Sequence, residues 1–205
     1  MTYELVSRTP QFSSGRVIDV VTDEVTMPGG RTALRDWINH PGAVGVVAVD
    51  SSDGEDRVLL VRQYRHPVGR ELWELPAGLL DVDGEAAVDS AARELAEEAD
   101  LRAAQFDVLV DLLTTPGASN EAIRIYLARG VSPVPDAERY HRYDEEATMT
   151  TQWFGLDEAV DMVLAGAVQN AAAAAGVLAA FAARARDWKD LRGPEAPWEA
   201  RPTRV

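Results

Sequence analysis

The chain has 205 residues, 46% apolar and 26% charged, which suits one folded domain with room for a small subdomain and excludes a disordered composition. It has no cysteine, so disulfides, thiolate chemistry and Cys-ligated zinc are excluded, and its three histidines, His40, His66 and His141, share no ligand spacing. With 20 basic against 34 acidic residues and a net charge of −14, it suits neither nucleic acid nor an acidic membrane; an anionic small ligand would need a divalent metal or a few placed arginines.

Residues 1–10 lack the apolar core of a signal peptide. Gly15–Thr22 and Asp23–Met27 read as two short strands, and Pro28-Gly29-Gly30 separates them from a third at Thr32–Ile38. All three have a thin apolar face, so residues 1–40 are expected to form an N-terminal β subdomain that packs against something else, a second subunit being the candidate. Gly42–Val49 is an almost unbroken apolar run, as in a strand buried on both faces. The turn signal Ser51–Gly54 joins it to a partner strand at Arg57–Gln63, and Leu72–Pro76 is a short strand stopped by proline.

Residues 84–99 read as a helix, with Asp83 as N-cap and Glu85 in the first turn. Ala87, Ala91, Leu95 and Ala99 make its small-residue packing stripe. Strands are expected at Phe106–Leu113, Ala122–Ala128 and Gln152–Phe154, and helices at Leu156–Ala165 and Asn170–Arg186. The most apolar long stretch, Ala171–Ala183, is about 13 residues, against the roughly 20 of a membrane span, so a cytoplasmic protein is expected. This mixture of strands and helices implies an α/β sandwich, with a main domain at residues 41–187 and a tail at 188–205. The tail's Trp188 and Trp198 either bind a partner or, more simply, pack on the body.

The chemistry concentrates in Gly78–Leu101, GLLDVDGEAAVDSAARELAEEADL. On a helix, Glu94 and Glu98 share a face and Glu97 lies beside them. From charge alone, a solvated acidic face is the commoner reading. A hard divalent cation among the carboxylates is the other. Arg93 is spaced to anchor Glu85 or Glu97. Pro76-Ala77-Gly78, just before, ends a strand abruptly and can aim backbone carbonyls at a metal.

The segment resembles the Nudix box, G-x5-E-x7-R-E-U-x-E-E-x-G-U with U a bulky aliphatic residue. Gly78, Glu85, Arg93, Glu94, Leu95, Glu97, Glu98 and Leu101 match. There are two departures: six residues separate Gly78 from Glu85, and Asp100 stands where the last glycine is expected. Asp tolerates the left-handed conformation better than most residues, so the turn is expected to survive. The resemblance implies an α/β/α sandwich around a mixed sheet that binds Mg²⁺ or Mn²⁺. The ligands would be Glu94 and Glu98, assisted by Glu97 and the Ala77 carbonyl, with Gly78, Glu85 and Arg93 as structural parts of the box.

Outside the box, Arg62-Gln63-Tyr64-Arg65 ahead of Trp73–Gly78, Pro116 placed 15 residues beyond Leu101, and Thr114–Glu121 around it are similar to the ADP-ribose pyrophosphatase branch. The implied substrate is a nucleoside diphosphate, with Arg65, Arg35, Glu74, Pro116 and Gly117 as binding residues. Tyr64 and Trp73 either stack on adenine or close a core. The implied base is a glutamate on the later acidic loop, Glu145 or Glu146, acting with the metal held at Glu98. The branch also implies a homodimer with exchanged N-terminal strands. Two other readings stand beside this one: a Nudix hydrolase for a nucleotide sugar or dinucleoside polyphosphate, and a non-catalytic ADP-ribose or NAD sensor, which would usually lack box glutamates.

Overall fold

The computed structural model describes residues 3–13, 17, 19–143 and 148–202. Its first three strands, β1 (Glu4–Ser13), β2 (Asp19–Thr26) and β3 (Thr32–Asn39), form an antiparallel meander in that order. The two short strands expected at 15–22 and 23–27 are thus one, β2, and β1 is a strand that the apolar pattern did not mark. The reason is polar: where an apolar side chain would sit, buried Asp23 accepts both Arg8 Nε (2.6 Å) and Trp37 Nε1 (3.0 Å), linking all three strands. Arg8 holds the Asp23 carboxyl below its ordinary range.

The main sheet contains β4 (Ala43–Asp50), β5 (Arg57–Arg65), β6 (Arg70–Glu74), β7 (Ala77–Leu79), β8 (Leu101–Leu113), β9 (Ala122–Pro133) and β10 (Thr150–Gly155). Its order is β10-β5-β4-β9-β8, with β6 against β5 and β7 against β4. The β4–β9 pairing is parallel and the others antiparallel, which is the expected mixed sheet. Alternation along β4 divides the core. Val44, Val46 and Ala48 face helix α1 (Ala87–Ala99), while Val47 and Val49 face α2 (Leu156–Leu164) and α3 (Ala171–Arg184). Among the described residues no helix is long and apolar enough to cross a membrane.

Helix α1 begins three residues later than expected. Gly84 adopts φ +80°, which no right-handed helix can contain, so Asp83 is not the N-cap; Ala86 holds that place without a side-chain bond, and Glu85 lies outside the helix. The other end is as expected: Asp100 caps it in the left-handed conformation at φ 53°. The tail is laid against the body. Trp188 packs on the core, and buried Arg124 stacks on the Trp198 ring while donating to the carbonyls of Ala196 (2.7 Å) and Pro197 (3.0 Å).

Candidate active site

β7 and α1 meet where the box begins. The buried Glu98 carboxylate accepts the Ala77 N–H at 2.9 Å, which pins the last box glutamate to the strand. One turn earlier, Glu94 lies flat on the chain at Gly78: a Cβ there would sit 2.0 Å from Glu94 Oε1. The glycine is therefore required by close approach. Arg93 gathers the rest, donating to Glu85 (3.1 and 3.2 Å), Glu94 (2.7 Å) and Glu97 (3.1 Å). The Arg93 side chain lowers the Glu85 pKa, and Arg93 itself is shifted upward by the same partners.

One guanidinium thus serves three carboxylates, and Glu98 adds a fourth. The surplus of hard, part-buried oxygen donors fits a divalent cation. Among the described residues no three acidic or imidazole groups close on one point by themselves. An ion that binds through one or two carboxylates and completes its shell with water and phosphate oxygens does not require that.

A cavity of about 590 Å³ opens beside this junction, lined by Ala77, Gly78, Arg65, Glu74, His40 and Glu121. Arg65 and Glu74 form a two-pronged ion pair (2.9 and 2.7 Å) with the Glu74 carboxylate buried. Arg35, Pro116 and Gly117 line a different cavity, of about 690 Å³, together with Trp37 and Arg201. In this single chain the fold therefore separates the expected binding residues into two groups. Glu145 and Glu146 lie outside the described residues. Trp73 closes the core, edge-on to Phe154 at 5.1 Å, while Tyr64 is exposed beside His66.

The pairing of His40 with Glu121 carries no sequence signal, since only the fold joins positions so far apart. The Gly42 N–H donates to His40 Nδ1 at 3.1 Å, leaving Nε2 facing Glu121 at 3.6 Å. Burial pushes the His40 pKa down, with Glu121 pulling the other way. Thr114 donates its hydroxyl to Glu121.

Comparison with known proteins agrees with this geometry. Residues 39–175 match the NUDIX domain family. An ADP-ribose pyrophosphatase of Mycobacterium tuberculosis H37Rv is 45% identical over 98% of this chain and 93% of its own length. A methanol dehydrogenase activator of Bacillus methanolicus is 36% identical over 78% of this chain and 83% of its own. In fold, the chain is similar to a crystal structure described as an ADP compounds hydrolase, with TM-score 0.73, 18% identity, and coverage of 92% and 94%. The box geometry, the family match and the near-full-length relative lead to one conclusion: the chain belongs to the Nudix family.

Proposed function

We propose that the protein hydrolyses the diphosphate of ADP-ribose to AMP and ribose 5-phosphate, in the cytoplasm, with Mg²⁺ as its cation and Mn²⁺ as an acceptable replacement. The observation that carries this reading is the junction of β7 and α1, where Glu94 and Glu98 rest on the Gly78 and Ala77 backbone beside a cavity that Arg65 also lines. The name of the 45% identical relative supports the choice of substrate.

Glu94 and Glu98 would hold the ion, assisted by Glu97 and the Ala77 carbonyl. When bound, such an ion neutralises diphosphate charge and makes a nearby water more acidic. Arg65, oriented in the cavity wall by its two-pronged pair with Glu74, would meet the diphosphate there. Arg93 keeps the box carboxylates in register through its bonds to Glu85, Glu94 and Glu97. Glu145 or Glu146 takes the proton of the attacking water. The oxygen of that water joins one phosphorus, and the bridging oxygen leaves with the other.

Arg35, Pro116 and Gly117 would meet the nucleoside side of the substrate, completed by a second copy of the chain. Exposed Leu5, Phe12 and Leu34 on the N-terminal meander support a homodimer.

The test is phosphate release from ADP-ribose in millimolar Mg²⁺, coupled to alkaline phosphatase. Turnover abolished by chelator and weak on ADP-glucose or diadenosine polyphosphates is the expected result. Activity confined to another diphosphate would overturn the substrate, and ligand binding without turnover on any of them would point to a sensor. Glu98→Gln is expected to lower kcat by more than about 100-fold, beyond what losing an outer-shell partner costs.

A further inference from the structure

One row of the meander β1–β3 holds two guanidiniums and one carboxylate. Arg8, Asp23 and Arg35 stand opposite one another on the three strands. The carboxylate is taken by Arg8, at 2.6 and 2.8 Å, and by Trp37 Nε1. Arg35 is left over. It is exposed and, among the described residues, donates only to the Leu34 carbonyl (2.8 Å) and the Met27 sulfur (3.8 Å). Most described arginines sit in ion pairs; Arg35 does not, and neither does exposed Arg201 in the tail.

Both unpaired arginines line the cavity of about 690 Å³ that also holds Arg8, Trp37, Pro116 and Gly117. Its walls are tied together. Ile38, next to Trp37, donates its N–H to the Ala118 carbonyl at 2.8 Å and accepts the Ser119 hydroxyl at 3.1 Å. On the tail side, Pro202 lies against Gly42, where a Cβ would sit 3.0 Å from Pro202 Cδ, and the Arg201 N–H donates to the Trp198 carbonyl at 3.2 Å. Three guanidiniums against the carboxylate of Asp36 make this lining positive in a chain of net charge −14. Such a lining suits an anion, and the guanidinium fork matches the geometry of phosphate oxygens. Trp37, Pro116 and Pro202 add the apolar surface that a base would cover.

We infer that this cavity reads a phosphomonoester on the nucleoside ribose: the substrates extend to ADP-ribose phosphorylated at its adenosine 2′ or 3′ oxygen, with Arg35 and Arg201 pairing with the added phosphate. The inference rests on the functional reading above, which puts the nucleoside at Arg35, Pro116 and Gly117. That reading assigns the diphosphate to the cation and to Arg65 in the cavity beside the box. Adenosine itself is uncharged, so in ADP-ribose alone the two unpaired guanidiniums have no charge to neutralise. An arginine near the ribose is a known means of admitting a 2′-phosphate. The bond that breaks is unchanged: the 2′-phosphorylated substrate and one water give adenosine 2′,5′-bisphosphate and ribose 5-phosphate, and the ester phosphate stays in place.

The test compares ADP-ribose with its 2′- and 3′-phosphates, the nucleotide products being separated by chromatography. Wild type is set beside Arg35→Gln, Arg201→Gln and, as a charge control outside the cavity, Arg186→Gln, which removes an arginine equally exposed. One phosphorylated substrate is expected to exceed ADP-ribose in kcat/KM by about tenfold or more, and Arg35→Gln and Arg201→Gln should each lower that ratio about tenfold, the scale of one charge-assisted hydrogen bond, while Arg186→Gln keeps it within about twofold. The preference should fade as salt is raised, because exposed charges are screened. Calorimetric titration with AMP and with adenosine 2′,5′- and 3′,5′-bisphosphate reads the same selection without catalysis. Equal kcat/KM on all three substrates, or a preference that Arg35→Gln and Arg201→Gln leave intact, overturns the inference. An enzyme active on ADP-ribose that binds AMP and both bisphosphates alike sinks this inference alone; a wild type inactive on every diphosphate sinks the functional reading and this one with it.

Discussion

Gly78 has no side chain because Glu94 occupies the space where one would be. The atoms in the way belong to the end of a flexible glutamate, so Gly78→Ala should move Glu94 rather than unfold the protein. A drop in kcat of about tenfold or more is expected with less than about 1 kcal/mol lost in denaturant unfolding, since misplacement by an ångström is costly to rate and an added methyl costs more only where the core cannot yield. A large stability loss with normal activity would contradict that account. His40 sets a different test. Its folded pKa lies below the ordinary 6.5, so the unfolded chain binds its proton more readily. The contribution is fully present above pH 6.5 and declines as pH falls from there toward the lowered folded value. His40→Asn keeps an acceptor for the Gly42 N–H but cannot titrate, so its stability relative to wild type should improve as pH is lowered through that window. Parallel stability profiles would refute this assignment.

At the scale of elements, the box was legible because its residues are neighbours on one helix. Helical geometry alone puts Glu94 and Glu98 on one face beside Arg93, and Asp100 could be placed at the left-handed cap from its residue type. The start of α1 is not legible in the same way, because Asp83 has the residue type of a cap while the positive φ of Gly84 decides the matter. β1 leaves no apolar pattern because its partner contact is an Arg8–Asp23–Trp37 cluster instead of an apolar stripe. The His40–Glu121 pair and the separation of Arg35 from Arg65 depend on contacts between distant segments, which local patterns do not encode. The tail belongs to the same class. Arg124, on a strand face otherwise filled by Tyr126 and Ala128, is neutralised by Asp111 at 2.7 and 3.0 Å and covered by the carbonyls of residues 196 and 197. Asp111→Ala leaves that buried cation uncompensated and should cost about 3–5 kcal/mol in thermal or denaturant unfolding. A loss below about 1 kcal/mol would mean that the tail carbonyls suffice.

For the whole molecule, the meander β1–β3 is the part whose surface a single chain does not explain. Leu5, Phe12 and Leu34 are each more than half exposed, and a proposed partner subunit would cover them. Sedimentation at micromolar concentration should give a dimer, and Phe12→Asp with Leu34→Asp should give a folded monomer with weakened ADP-ribose binding. A wild-type monomer would remove both the dimer and the role given to Arg35. The parallel pairing of β4 with β9 has a consequence for the order in which this molecule assembles. It brings Ala43 beside Ile123, and α1 lies within the loop so closed. Closing so long a loop is slow, whereas the meander joins strands that follow one another directly. On refolding, the N-terminal sheet is therefore expected to form ahead of the catalytic surface, and a change that weakens β9 should delay the recovery of activity, followed by ADP-ribose turnover, more than the return of secondary structure, followed by circular dichroism.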